Sequence, residues 1–242
     1  MTIKKPVKRK IFNLREENTY SDIAALESVS FASNYNNYIF KLISKHIQGD
    51  EVLDFGAGYG NFCSYLKNNN KNVTAIEVNA EAIDKLNELN ITNYKKIEKT
   101  GKKFQNIVSL NVLEHIDDDK KVFYELVESL KLGGKIILYL PASMLIWTKL
   151  DELVQHKRRY SKKLIFDLVK IDKVEIEHIY WVDFVGWATL LISKVIRLNL
   201  EFNKDKIIFY DRFLFKPFKY LDLLFKCIIG KNILVVISKI KD

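Results

Sequence analysis

The chain has 242 residues, of which 48% are hydrophobic and 29% are charged, the balance of a globular protein with one large core. Its formal net charge of +9 raises the question of nucleic-acid binding, but five of the positive charges lie within the first ten residues. We therefore expect a basic flexible tail over residues 1–20 and a single folded domain over 21–242. Nucleic acid is not the expected partner.

Cysteine content and hydropathy indicate the cellular compartment. The two cysteines, Cys63 and Cys227, lie far apart and form no CxxC pair, so we expect neither disulfides nor a metal site. The basic N-terminus lacks the apolar core of a signal peptide. The most apolar stretch, residues 184–192, is far shorter than the roughly 20 residues of a membrane-spanning helix. These features predict a cytoplasmic protein.

Short apolar runs alternate with helical patterns along the chain, beginning with an amphipathic helix over 34–47. Further helices are expected at about 61–67, 81–89 and 118–130. The predicted strands are 51–55, 72–77, 93–97, 106–110, 134–141, 173–181 and 232–238. Strands separated by helices indicate an α/β fold with an open, doubly wound, mostly parallel sheet of seven strands. Gly133 and Gly134 are expected to close the preceding helix with a left-handed cap.

A helical insertion is predicted at about 182–231, before the last strand. It contains ten aromatic residues, and nine Lys or Arg against five Asp or Glu. One interpretation is an amphipathic platform that makes peripheral contact with the anionic inner face of a membrane. The other is a helical lid that packs on the core or on a second copy of the chain in a homodimer.

The first strand runs into a glycine-rich turn, Asp54-Phe-Gly56-Ala-Gly58-Tyr-Gly60, which is followed by a helix. Glycines permit positive φ and close approach of the backbone to a ligand. The turn lies at the carboxyl end of a parallel strand, where open α/β sheets bind ligands. Glu77 closes the second strand, where a carboxylate can accept hydrogen bonds from ribose hydroxyls. This pattern predicts a nucleoside cofactor.

Two nucleoside cofactors compete for this turn. A dinucleotide requires GxGxxG with its pyrophosphate at the helix N-terminus, whereas this turn reads GxGxG and continues with Asn61. The Asp54 carboxylate would repel a pyrophosphate but would attract the ammonium and sulfonium groups of S-adenosylmethionine. The sequence therefore favours S-adenosylmethionine, and the alternative is a tight turn that binds no ligand.

The motifs carry a family resemblance. Residues 52–60 resemble the first motif of class I S-adenosylmethionine-dependent methyltransferases, and residues 107–116 and 130–141 resemble their fourth-strand motif and the turn and strand that follow. The resemblance covers about 34–181 and implies a Rossmann-like fold and methyltransferase activity (EC 2.1.1.-), with S-adenosylhomocysteine as product. The cofactor-binding residues it implies are Asp54, Gly56, Ala57, Gly58, Gly60, Glu77, Val78, Asn111 and Leu113.

Three residues are candidates for the acceptor side of the site. Methyl transfer is an in-line displacement that depends on positioning, so no fixed catalytic triad is expected. His115 is either a base or cofactor contact, or it ties its loop by hydrogen bonds. His156 and Tyr160 lie in a charged segment after the fifth strand and are expected to face the acceptor. The alternative for this segment is a salt-bridged surface loop.

The HxRRY element at 156–160 resembles a subgroup of bacterial methyltransferases linked to glycan or lipid-linked sugar assembly, as do the segments 210–213 and 230–236. This resemblance implies a small-molecule or lipid-linked sugar acceptor. Two alternatives remain open. An RNA methyltransferase would concentrate Lys and Arg around the pocket mouth, and a non-catalytic module would keep only its cofactor turn.

Overall fold

The computed structural model describes residues 30–198 and 203–242, and the predicted tail over 1–20 lies outside these ranges. Within these ranges seven strands form one sheet, in the spatial order β3-β2-β1-β4-β5-β7-β6. They are β1 (Glu51–Phe55), β2 (Asn72–Ile76), β3 (Thr92–Tyr94), β4 (Phe104–Leu110), β5 (Leu130–Pro141), β6 (Val174–Val182) and β7 (Asn232–Lys239). Strands β1 to β5 are parallel, and β7 is antiparallel to both β5 and β6. The predicted fold class is confirmed.

The helices cover the sheet and build the insertion. Those of the core are α1 (Ser33–Ser44), α2 (Asn61–Asn68), α3 (Ala80–Glu88), α4 (Asp119–Glu128), α5 (Lys149–Leu153) and α6 (Lys162–Leu168). The predicted insertion contains α7 (Phe184–Val195), α8 (Lys204–Phe209), a π-helical turn (Tyr210–Phe215), α9 (Lys216–Phe218), a 3₁₀ turn (Lys219–Leu221) and α10 (Asp222–Phe225). None of the helices within 30–198 and 203–242 is long and apolar enough to cross a membrane.

Both faces of the sheet are buried, as the apolar strands predict. Alternate residues of a strand point to opposite faces. Leu53 of β1 and Ile107 of β4 therefore belong to one core cluster, whereas their neighbours Val52 and Val108 belong to another that includes α1. With both faces covered, the edge formed by the carboxyl ends of the parallel strands is left for ligands.

The prediction that Gly133 and Gly134 cap the helix before β5, which is α4, is wrong. The helix ends at Glu128, and the Ser129 amide closes it by donating to the carbonyls of Glu125 and Leu126. Gly133 has a φ of +73° but lies inside β5, where the pairing with β4 shifts between Phe104 and Asn106. The positive φ of Gly133 therefore belongs to an irregular position in the strand. Such positions, like helix caps, favour a glycine.

Buried acidic residues anchor the insertion to the core. The Asp211 carboxylate accepts hydrogen bonds from the backbone amides of Asn34 (3.0 Å) and Tyr35 (2.8 Å) at the start of α1. The Asp222 carboxylate accepts from the backbone amides of Asp183 (2.9 Å) and Phe184 (2.8 Å) at the start of α7. Since unpaired backbone amides at a helix start need acceptors, each carboxylate joins the insertion to a helix end.

The outer face of the insertion carries exposed apolar side chains. Phe213 is 62% exposed and Phe218 is 52% exposed, so neither packs against the core as a closed lid would require. Phe225 is the exception, because its ring stacks on Phe184 with 3.8 Å between ring centres. The other exposed apolar residues of this face are Phe209, Tyr220, Leu223, Leu224 and Ile228.

Candidate active site

The glycine-rich turn leaves β1 at Phe55 and leads into α2. Gly56, Gly58 and Gly60 have φ values of +79°, +52° and +75°, which side-chain-bearing residues rarely adopt. A Cβ atom on Gly56 would lie 2.3 Å from a methyl group of Val112, which follows β4. The turn therefore packs directly against the segment after β4, and only glycine allows this approach.

Glu77 holds the turn from the neighbouring strand. One oxygen of its carboxylate accepts a hydrogen bond from the Gly58 amide at 2.7 Å. The other accepts from the amides of Val78 (2.7 Å) and Asn79 (2.9 Å). A carboxylate offers about four acceptor positions, so these bonds leave capacity for a hydroxyl group. Glu77 is partly buried beside the turn, where the sequence places a ribose contact.

Asp54 lies beneath the same turn and is 2% exposed. Its carboxyl accepts a hydrogen bond from the Cys63 thiol at 3.1 Å. Burial raises the pKa of Asp54 to about 7, and the nearby charge of Glu77 adds to this effect. A buried carboxyl of this kind gains by having a cation beside it, which fits the ammonium and sulfonium groups of S-adenosylmethionine.

The remaining predicted cofactor residues follow the strands on either side of β1. Val78 follows β2 and is partly buried, while Ala57 lies in the turn itself. Asn111 follows β4 with a φ of +53° and is exposed, and Leu113 is fully buried in a 3₁₀ turn, Leu113–His115. All of them lie at the carboxyl edge of adjacent parallel strands. Their contact with cofactor stays a prediction.

His156 is held by a buried carboxylate. Its Nδ1 lies 2.8 Å from an Asp151 oxygen, and Asp151 is 1% exposed. Arg159 donates to both Asp151 oxygens, from Nε at 2.8 Å and from Nη2 at 3.1 Å. Burial opposes ionisation of Asp151, but the hydrogen bonds from His156 and Arg159 outweigh it and keep its pKa below the usual value. The loop after β5 is therefore built around one charged carboxylate.

The structure brings His115 and His156 together, 41 positions apart in the sequence, with ring centres 4.8 Å apart. It adds Glu114, to which sequence reasoning gave no role. Glu114 is fully buried, and burial raises its pKa to about 7. Asn111 and His156 partly offset this effect, yet neither Glu114 oxygen meets hydrogen-bond geometry with any donor in the described ranges. In the sequence, the feature that could have pointed to Glu114 is its position directly before the candidate residue His115.

Tyr160 lies beneath this loop. It is 1% exposed, and its hydroxyl donates to Asp119 at 2.8 Å. The preceding cations also have acidic partners, since Arg158 pairs with Asp119 (2.6 Å) and Lys157 pairs with Asp117. This agrees with the interpretation as a salt-bridged loop. A direct contact between Tyr160 and the acceptor stays a prediction, and the observed bonds give the residue a positioning role.

Sheet order, glycine turn and the acidic residue after β2 define a class I methyltransferase, whose cofactor is S-adenosylmethionine. Comparison with known proteins identifies the family. A family model described as a methyltransferase domain matches residues 31–184, and the chain belongs to this family. No curated protein matches the chain.

Solved structures with the same fold cover nearly the whole chain. A complex of the Haloferax volcanii Trm112 methyltransferase activator with a protein described as its methyltransferase matches with a TM-score of 0.60 at 10% identity, covering 93% of this chain and 98% of the matched chain. An S-adenosylmethionine-dependent methyltransferase from Thermotoga maritima has a TM-score of 0.58 at 14% identity, covering 92% and 100%. The plantazolicin methyltransferase BpumL, solved with S-adenosylhomocysteine, has a TM-score of 0.51 at 15% identity, covering 89% and 85%.

We expect Glu77→Ala to weaken binding of S-adenosylhomocysteine by about 1–3 kcal/mol, the scale of hydrogen bonds to a charged group. The substitution removes the predicted ribose acceptor and also releases the Gly58 amide. Calorimetric titration measures the change. Glu88→Ala is the control, since Glu88 lies on the next helix with its side chain 65% exposed. Equal affinities of the wild type and a folded Glu77→Ala variant would refute this role.

The burial of Asp54 predicts a pH-dependent stability. Asp54 ionises near 3.8 in the unfolded chain and near 7 in the folded one. The folded state therefore binds an extra proton between these values, and the carboxyl destabilises the fold increasingly as pH rises towards 7.

Asp54→Asn removes the group that titrates. In the absence of cofactor, we therefore expect the melting temperature of the variant minus that of the wild type to be larger at pH 8 than at pH 5. Thermal unfolding at both pH values tests this. The control is Asp50→Asn, because the Asp50 side chain is 69% exposed. A relative melting temperature that does not change with pH would contradict the assignment.

Proposed function

We propose that this methyltransferase acts on a small-molecule or glycan-type acceptor, with a lipid-linked sugar as the best fit. The main support is the pairing of basic residues at the loop after β5. Lys157, Arg158 and Arg159 are each held by a carboxylate of the chain itself. An RNA methyltransferase would instead need such cations for phosphate contacts at this position.

A cleft beside the loop supports an acceptor of modest size. Its volume is about 390 Å³, and it lies between the loop after β5 and the end of α7. The lining residues are Trp147, Thr148, Lys149, Ser193, Lys194, Arg197 and Leu198. Three of them, Lys149, Lys194 and Arg197, are cationic, which suits one phosphate or diphosphate group of a small molecule in a cleft of this volume. Thr148 also donates its amide to Asp151 at 2.9 Å, so the cleft adjoins the carboxylate that holds His156.

In the proposed reaction, S-adenosylmethionine supplies a methyl group on a positively charged sulfur. The glycine turn and Glu77 bind and orient the cofactor. His115 and His156 contact the acceptor, and Asp151 fixes the ring of His156 through Nδ1. Because the reaction is an in-line displacement, alignment of acceptor and methyl group supplies much of the rate enhancement.

The acceptor class can be tested with radiolabelled S-adenosylmethionine and extracts of the source cells, separated into small-molecule, lipid, protein and RNA fractions. We expect label in the small-molecule or lipid fraction. His156→Gln should lower incorporation at least about tenfold and change the affinity for S-adenosylhomocysteine less than twofold, since it acts on the acceptor side. His178→Gln, at an exposed site on β6, is the control. Label in RNA, or loss of cofactor affinity in His156→Gln, would overturn the proposal.

Charge distribution supports contact with a membrane, where a lipid-linked acceptor would lie. Three acidic residues of the insertion, Asp183, Asp211 and Asp222, are buried. Basic residues remain at its surface beside the exposed Phe213 and Leu224, among them Arg212, Lys216 and Lys226. An exposed apolar face with surrounding cations suits the surface of an anionic bilayer.

Vesicle flotation tests this contact. We expect the protein to float with phosphatidylglycerol vesicles but not with phosphatidylcholine vesicles, and less at high salt because ions screen the attraction. Replacing Phe213, Leu224 and Ile228 by Ser should abolish flotation. The control replaces Leu132 and Phe166 by Ser as well, because these residues are 58% and 55% exposed but lie outside the insertion. Absence of flotation, or equal loss in the control, would remove the membrane from the proposal.

A further inference from the structure

Glu114, His115 and His156 form a cluster with the donor atoms of a metal site. One carboxylate oxygen and one nitrogen from each ring all lie within 4.8 Å of one another. The His156 Nε2 atom is 3.7 Å from Glu114 Oε1, which is too long for a hydrogen bond. Donors around a tetrahedral divalent ion at bond lengths of about 2.0–2.2 Å lie about 3.3–3.6 Å apart. The pair formed by His156 and Glu114 is close to this spacing, and the widest pair of the cluster would have to close by up to about 1.5 Å.

Burial of Glu114 is the second observation. The side chain is fully buried, and no donor in the described part of the chain meets hydrogen-bond geometry with either carboxylate oxygen, although the Asn111 side chain lies close enough to interact. Buried carboxylates are ordinarily paired with a cation or bind a metal, because burying an uncompensated charge is costly. The backbone carbonyl of Glu114 accepts from the Lys157 amide at 2.9 Å, which keeps this loop beside His156.

The orientation of His156 is the third observation. Its Nδ1 bonds to Asp151, whose oxygens are already held by Arg159, so the proton belongs on Nδ1. The Nε2 atom then presents a lone pair in the direction of Glu114. Metal-binding histidines have this arrangement, in which a carboxylate accepts from the second ring nitrogen and fixes the tautomer.

We propose that Glu114, His115 and His156 bind a divalent transition-metal ion, and that the ion holds the acceptor through a hydroxyl oxygen. The inference rests on the proposed function, since it places the acceptor at this cluster. Two imidazoles and one carboxylate favour ions such as Zn²⁺, Co²⁺, Mn²⁺ or Fe²⁺ over Mg²⁺ or Ca²⁺. Three protein ligands leave coordination positions open for the acceptor.

The location suits methyl transfer. Glu114 follows Val112 by two residues, and Val112 packs against Gly56 of the cofactor turn. A hydroxyl bound to the ion has a lowered pKa and releases its proton to water. An oxygen lone pair then forms the bond to the methyl carbon while the carbon–sulfur bond breaks. The electron pair of that bond stays on sulfur and leaves neutral S-adenosylhomocysteine.

Metal binding is measured on the full chain without a histidine tag, in a Cys227→Ser background because that thiol is exposed. After treatment with a chelator, the protein is titrated with Zn²⁺ by calorimetry and with Co²⁺ by visible absorption. We expect one equivalent of each ion to bind. Glu114→Gln and His156→Gln should each weaken binding at least about tenfold. Circular dichroism and the affinity for S-adenosylhomocysteine verify that these variants fold.

The control is His178→Gln, because His178 and His46 form a second histidine pair with ring centres 5.2 Å apart. It should bind metal as the wild type does. Equal binding by wild type and Glu114→Gln, or loss only in His178→Gln, would overturn the metal site. Neither cofactor nor acceptor is present in these titrations. Methyl transfer that persists without metal would refute the role of the ion in the reaction and leave the proposed function standing. Metal binding without transfer to any hydroxyl-bearing acceptor would refute the proposed function and leave the metal site standing.

Discussion

The Asp151 carboxylate organises the acceptor side of the molecule. It accepts hydrogen bonds from the Thr148 amide, from Nε and Nη2 of Arg159 and from Nδ1 of His156. A buried charge is tolerated only when hydrogen bonds and an opposite charge compensate it, so the loop after β5 must close around this group. The position of the His156 ring, and therefore its distance from Glu114, depends on that closure.

The cofactor side depends on a different constraint, the shared edge of the parallel strands. β2, β1 and β4 are adjacent in the sheet, so the residues that follow them meet at one edge. Glu77 and Val112 both touch the glycine turn because of this order. The two halves of the site meet at the segment after β4, which packs on Gly56 at Val112 and approaches His156 at Glu114.

Much of this architecture was predictable because its signals are local. The strands and the turn at Asp54–Gly60 follow from short patterns, and the strand order follows from the general rules of doubly wound sheets. The strand irregularity at Gly133 was not predictable, since a helix cap and an irregular strand both favour a glycine with positive φ. Glu114 and Tyr160 depend on long-range contacts. Tyr160 donates its amide to the Pro141 carbonyl, which directs the side chain beneath the loop, and spacing alone does not reveal this.

The position of β7 has a consequence for folding during synthesis. Among the strands that the structure describes, β6 pairs with β7 alone, and β7 also completes the edge of β5. The chain between Val182 and Asn232 must therefore leave the ribosome before β6 can join the sheet. At about 5–20 residues per second, this delay lasts roughly 3 to 10 seconds. During that interval β6 and the outer edge of β5 both lack their partner strand, so the late strand sets how long these edges can pair with another chain.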